Sequence, residues 1–419
     1  TALLRRCPGV PMWAVWGVFA LWLVPLLVGP PLFSRDVYSY AAQGDMVTRG
    51  INPYLHGPSS LGWGDPYLNP VDRLWYATPA PYGPLFLGLD AGIVGLTGHH
   101  ALATVVGLRL LALGGVVLAG AFLPTLARSS GRDPAAVFAL AILNPVTLLH
   151  LIAGAHNDAL MAGFLVAGLA LARNRHPVAG VVMCALGAAV KAPAALGILY
   201  IGWHWMGPGL PRRERVRPMV SAVMLGGVVL GLLSEVTRLG WGWVRALGAP
   251  GAVHSVIDPT TIFGIVTGTF TRLLHLGLRT GQMTSMGRGL GMAVAVVAGV
   301  RLLLMSDRLG MVRAAAISLW VVVVLGPVIQ PWYLGWPIML LAPVAGGRLR
   351  RLLVATTVAG AFIGFPGGWL LLDELARSSV WAVALSVAVL VSIPGPPVLA
   401  WARRQLDGRR RLLTPAPLG

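Results

Sequence analysis

The sequence predicts an all-α protein that crosses a membrane about twelve times. Three observations lead there. The chain is 56% hydrophobic and only 11% charged, a balance that soluble domains do not show. Its apolar residues come in long runs without strict alternation, which suits helices and not barrel strands. Arginine gathers in short segments between those runs, the bias that keeps loops on the cytoplasmic side. The net charge of +18 would suggest nucleic acid in a soluble protein. Here no basic groove with interleaved aromatics accompanies it, and positive loops explain the charge.

The first apolar run, Met12 to Phe33, is long enough to span a bilayer. It lacks a small-residue cleavage pattern, so it reads as a span and not a signal peptide. The chain begins at Thr1 without a methionine, which suggests that residues precede it. Further spans are expected near 101–127, 135–153, 158–173, 177–191, 193–206, 218–236, 288–305, 312–329, 333–346, 351–372 and 379–401. Arginines at 5, 6, 128, 132, 173, 175, 212, 213, 215, 217, 308, 313, 348, 350, 351 and in the tail make up 20 of the 32 basic residues. Twelve spans put all of these on one side, which predicts a multi-pass cytoplasmic-membrane protein with both termini inside. That solution requires Gly83 to Gly98 not to cross. The stretch is short and opens Thr78-Pro79-Ala80-Pro81-Tyr82-Gly83-Pro84, so it reads as an interfacial or re-entrant helix. Phe263 to Leu278 is broken by glycines, Arg272 and His275, and is placed on the outer surface too.

The expected organisation is one membrane domain, 1–419, with large outer segments at 34–100 and 237–287. The first carries Asp36, Asp45, Asp65 and Asp72 among Tyr38, Tyr40, Tyr54, Tyr67, Trp63, Trp75, Tyr76 and Tyr82. Carboxylates among aromatic rings suit sugar recognition, because acids bond hydroxyls and rings cover the apolar sugar face. A folded loop packed at the interface would use the same residues. Cys7 and Cys184 suggest neither a disulfide framework nor a metal site.

Four stretches could carry chemistry. Ser34-Arg35-Asp36-Val37-Tyr38-Ser39-Tyr40 follows the first span, so Asp36 is either an interfacial anchor or an acid held at the mouth of a helix. Gly154-Ala155-His156-Asn157-Asp158 joins two spans on the same side. Asn157 or Asp158 could merely cap the next helix, yet three polar groups exceed what a cap needs. Lys191 is the only lysine and precedes Pro193, which breaks or kinks a helix. It could snorkel to headgroups or pair with a lipid phosphate as a compact charge. Gln330-Pro331-Trp332-Tyr333-Leu334-Gly335-Trp336 forms another outer turn and suits an aromatic belt. No phosphate-binding loop, dinucleotide fingerprint, zinc spacing or nucleophile elbow is present.

Together these stretches, with Gly50-Ile51-Asn52-Pro53-Tyr54, Thr78-Pro79-Ala80-Pro81-Tyr82-Gly83-Pro84-Leu85-Phe86 and Val190-Lys191-Ala192-Pro193, resemble the actinobacterial polyprenol-phosphate-mannose-dependent α-(1→6)-mannopyranosyltransferases, within the GT-C membrane glycosyltransferases. The resemblance runs from about residue 20 to 400. Members of that family often carry one more helix upstream. The resemblance implies a GT-C-like bundle and an inverting transfer of mannose from a polyprenyl-phosphate donor to a growing α-(1→6)-mannan of lipomannan type. The resemblance also implies that this transfer takes place at the outer face. It maps the family's first-loop acid onto Asp36 as catalytic base, and the second outer motif onto His156, Asn157 and Asp158. Substrate-binding roles are expected for Arg35, Tyr38, Tyr40, Asp45, Tyr82, Lys191, Gln330, Trp332 and Tyr333 as well. An activated donor needs no nucleotide site, so no cofactor is expected, and the need for a divalent metal is left open. The implied partners are the donor, the mannan acceptor and the bilayer, not nucleic acid. A related enzyme with another sugar or acceptor is the runner-up. A transporter would instead show repeats and midplane acids, and a scaffold would show a closed outer face.

Overall fold

The computed structural model describes residues 10–246, 259–275 and 279–361. Every regular element within them is helical. Helix α1, Met12–Val28, is shorter than the expected span to Phe33. Gly29-Pro30-Pro31 stops it, because proline lacks the N–H a helix requires. Asp36 therefore does not end the first helix. It opens the next one, α2, Asp36–Thr48, with Arg35 just before it. Helix α3, Pro84–Leu96, is the short apolar helix expected at 83–98. It lies so close to α2 that a Cβ on Gly44 would come 2.7 Å from the Asp90 backbone.

The centre of the bundle is α4, Ala101–Ser129, packed on α6, Asp158–Arg173, which in turn packs on α7, Pro177–Ala188. Small residues allow this contact, as they do between membrane helices generally. A Cβ on Gly115 or Gly163 would run into the backbone of the facing helix. Between α4 and α6 the expected span 135–153 is broken. It consists of α5, Pro134–Ala141, and a π-helical segment, Val146–Ala153, bent by 57° at Asn144-Pro145. Helix α8, Ala195–His204, follows, then α9, Arg212–Val236.

Helix α10, Pro259–Leu273, runs antiparallel to the start of α11, Thr280–Leu304. Gly264 and Gly268 meet Thr284 and Thr280 there. Residues 280–287, expected in an outer loop, belong to α11, and Phe263 to Leu273 of the apolar stretch expected on the outer surface belong to α10, the other arm of a hairpin. Helix α12, Met311–Leu325, leads to a short turn, Pro331–Leu334, then α13, Gly335–Leu341, and α14, Gly347–Ala361. The expected span 333–346 is thus divided into short pieces, with Pro337 and Pro343 inside it. The expected span 379–401, residues 362–372, Cys7 and the tail arginines lie outside the described residues.

Among the described residues, α4, α9 and α11 are long and apolar enough to cross a membrane alone, or four spans if the bent pair counts as one. α1, α3, α7 and α12 are apolar but shorter. Helices α9 and α11 expose Val220, Met224, Leu232, Leu290, Val294 and Val297, side chains that suit lipid as solvent. This is a membrane protein of several apolar helices.

One arginine in the first third of α4 was not singled out by the sequence. Arg109 is buried. Its Nη1 donates to the Leu27 and Gly29 carbonyls at 2.9 and 2.6 Å, and its Nη2 to Ala153 at 3.3 Å. It satisfies carbonyls that two helix ends leave free, and charged donors make such bonds strong. The ends so joined are those from which the chain continues to Asp36 and to His156.

Candidate functional site

Lys191 owes its position to the end of α7. The backbone becomes extended there, and Pro193 starts a short turn, Ala192–Ala194. The Gly83 N–H donates to the Val190 carbonyl at 3.0 Å, and the Leu85 N–H to Ala189 at 3.0 Å. The end of α7 is thereby fastened to the start of α3, which sets Tyr82 beside Lys191. The Lys191 Nζ lies 5.9 Å from the Tyr82 ring centre, 4.5 Å from Tyr333 and 5.4 Å from Trp336. Its ammonium donates to both Asp158 oxygens, at 2.8 and 2.9 Å. The Trp336 indole N–H donates to the same carboxylate at 2.7 Å. Asp158 is fully buried. Three charge-assisted bonds offset the cost of desolvating it.

Asp36 approaches the same space from the start of α2. Its own N–H donates to Ser34 Oγ at 3.1 Å. Its Oδ1 accepts from the Trp75 indole at 3.1 Å, and His156 Nδ1 stands 3.8 Å from its Oδ2. The carboxylate keeps 14% of its surface, directed to a cavity of about 390 Å³ that it lines together with Trp75, Tyr82, Lys191, Gln330, Trp332, Tyr333 and Trp336. Burial raises its pKa to about 6, against the opposing pull of the Lys191 charge. Such a carboxylate is ionised at neutral pH and is a better base than an ordinary one.

His156 lies behind Asp36. It is fully buried and stacks on Trp332 at 3.8 Å. Tyr40 Oη is 3.4 Å from its Nδ1. Burial, and then the neighbouring Lys191, push its pKa well below the usual histidine range. Burial thus favours the uncharged imidazole beside Asp36.

The structure brings Asp36, Tyr82, Lys191, Gln330, Trp332 and Tyr333 to one cavity. It places the other expected substrate contacts elsewhere. His156, Asn157 and Asp158 are buried and do not line the cavity. Tyr40 is buried too, packed edge-on against Tyr82. Arg35 is exposed and Tyr38 half-buried, and neither lines the cavity. Asp45 is turned into an ion cluster with Arg49 and His99, because it lies on the face of α2 opposite that cavity's lining residues. Trp75 and Trp336 were missed as site residues, although both belong to the aromatic stretches that the sequence marks. The same cavity is also lined by apolar side chains, with Leu196 from α8, Met292 from α11, and Val322 and Val323 from α12. Among the described residues, no three His, Cys, Asp or Glu side chains converge as a metal-ligand set.

The buried pair gives a direct test. Asp158→Asn or Lys191→Met should each cost about 3–5 kcal/mol, the usual result of leaving one buried charge unpaired. The double variant should recover a large part of that loss. Thermal unfolding in detergent measures it, and strict additivity of the two losses would refute the pairing.

Comparisons with known proteins place the chain in a family. Residues 2–207 match the family model described as α-(1→6)-mannopyranosyltransferase, N-terminal domain, and residues 260–394 match the MptB C-terminal domain. An α-(1→6)-mannopyranosyltransferase of Mycobacterium tuberculosis is 32% identical over 91% of this chain and 75% of its own length. A probable α-(1→6)-mannopyranosyltransferase of Mycolicibacterium smegmatis is 34% identical over 95% and 75%. The archaeal oligosaccharyltransferase AglB of Archaeoglobus fulgidus superposes with a TM-score of 0.44 and 14% identity, over 91% of this chain and 54% of that one. The chain belongs to the α-(1→6)-mannopyranosyltransferase family.

Proposed function

We propose that this mannosyltransferase takes mannose from a polyprenyl-phosphate donor and adds it, with inversion, to a growing α-(1→6)-mannan of lipomannan type. The single observation that carries the reading is the cavity itself. Its lining combines a carboxylate of raised pKa, an ammonium and aromatic rings with aliphatic side chains. A lipid-phosphate sugar brings the matching parts: hydrocarbon, phosphate and sugar. We place the site in a GT-C-like bundle at the outer face, with the arginine-rich loops inside.

In this reading Asp36 is the base. The acceptor's C6 hydroxyl gives its proton to the carboxylate as its oxygen forms a bond to the mannose C1. The bond from C1 to the phosphate oxygen breaks on the far side of the ring, and its electron pair leaves with the polyprenyl phosphate. Opposed attack and departure invert the anomeric centre. The Trp75 indole N–H holds the carboxylate, which limits its reorientation in the transition state. Lys191 spends two of its three ammonium protons on Asp158 and has one left for the donor phosphate. Asp158, held by the Trp336 indole, fixes its position and lies behind the cavity wall. Tyr82, Trp332 and Tyr333 offer ring faces to the sugar.

An assay with radiolabelled polyprenyl-phosphate-mannose and a short α-(1→6)-mannoside tests the roles. Asp36→Asn should lower kcat about 10²–10⁴-fold, the usual loss for a general base, with donor binding kept. Lys191→Ala should raise the donor KM more than it lowers kcat. Near-normal turnover of Asp36→Asn in folded protein would remove the base from this position.

Orientation has its own test. In a Cys7→Ser background, Cys184 being buried, a cysteine at exposed Ser59 should react with an impermeant reagent applied from outside. One at exposed Arg213 should react only from inside. Labelling of both from one side would contradict the outer-face site.

A further inference from the structure

A second cavity, of about 280 Å³, lies where the ends of α4 and α6 meet the start of α12. Arg132, Arg173 and Arg313 line it with Ser129 and Ser130, and no carboxylate does. The two acids nearest in sequence are engaged elsewhere. Asp133 accepts from the Ala135 and Ala136 N–H groups at the start of α5, and Asp307 accepts from Arg215 at 2.8 Å. Arg313 donates one Nη2 bond to the Val344 carbonyl, and its buried Nε has no partner. Three guanidinium groups around one concavity repel each other, and an anion between them relieves this. The first turn of α12, Gly310–Arg313, also lines the cavity, so the positive end of that helix adds to the field.

We infer that this cavity binds a phosphate-bearing anion, the headgroup of an anionic lipid at the arginine-rich face of the membrane. The space fits a phosphodiester with its glycerol and is too small for an oligosaccharide. Guanidinium groups suit phosphate because their planar forks bond two oxygens at once. Serine hydroxyls suit the glycerol. Basic recesses between membrane helices are a recurrent form of headgroup site. The site is separate from the cavity that Asp36 lines, sharing no residue with it.

The test uses the full chain in detergent, titrated with phosphatidylglycerol, phosphatidylcholine or inorganic phosphate while binding and unfolding temperature are followed. Phosphatidylglycerol should bind and stabilise, and phosphatidylcholine should do neither. Arg132→Gln with Arg173→Gln, both exposed positions, should weaken phosphatidylglycerol about 10- to 100-fold, as expected for two lost charge-assisted contacts. Arg212→Gln with Arg213→Gln removes the same charge outside the cavity and should change binding less than about twofold. Inorganic phosphate binding as tightly as phosphatidylglycerol, with the same dependence on Arg132 and Arg173, would keep the anion site and make its source soluble. Equal binding of both lipids, or equal loss in the two double variants, would overturn the proposal.

Discussion

The ion pair between Asp158 and Lys191 is the constraint on which the site depends. Two opposite charges sit where water hardly reaches, and neither is tolerable without the other. Asp158 is fixed first, at the start of α6, which is held to α4 by glycine-to-backbone contact. Lys191 comes from the far end of α7. Meeting Asp158 requires α7 to stop on time, which Pro193 ensures, and to be fastened at its end, which the Gly83 and Leu85 bonds accomplish. Trp336 then closes the carboxylate from α13. Three parts of the chain, α6, α7 and α13, are thus registered to one another by one carboxylate and one ammonium, and backbone contacts add α3 and α4.

This arrangement explains why two acids in similar sequence settings have different chemistry. Both begin a helix. Asp158 has spent its oxygens on Lys191 and Trp336. Asp36 has one indole donor, a neutral histidine at 3.8 Å and an opening to the cavity. An acid saturated with donors is a structural anion, whereas an acid short of donors in a poorly hydrated place holds its proton more firmly and takes one more readily. The division of labour follows from the count of donors around each.

Much of this was legible in the sequence. A lone lysine before a proline, an acid after the first apolar run, a polar turn and an aromatic turn each declare themselves by breaking an apolar background. The short helix at 84–96 was legible from its length. Burial was not. Nothing in Gly154-Ala155-His156-Asn157-Asp158 tells that the turn packs beneath Trp332 and never reaches the cavity, since that depends on the distant segment 331–336. The same limit applies to Asp45, whose partner His99 is 54 residues away. Arg109 was hidden because one arginine inside a long apolar helix looks like an interruption until its three carbonyl partners are in place. The lengths of α1, α5 and α13 were overestimated where proline or a proline-containing break cuts an apolar run that hydropathy alone treats as continuous.

The central claim is that Asp36 works as a base whose proton affinity is raised by burial. The most direct measurement is kcat/KM of the native protein against pH, with the Asp36→Asn variant beside it. A base acts only when deprotonated, so activity should fall as pH is lowered through about 6, with a limb of one proton. The residual activity of Asp36→Asn should show no such limb. A native profile flat down to pH 5, or the same limb persisting in Asp36→Asn, would contradict the account.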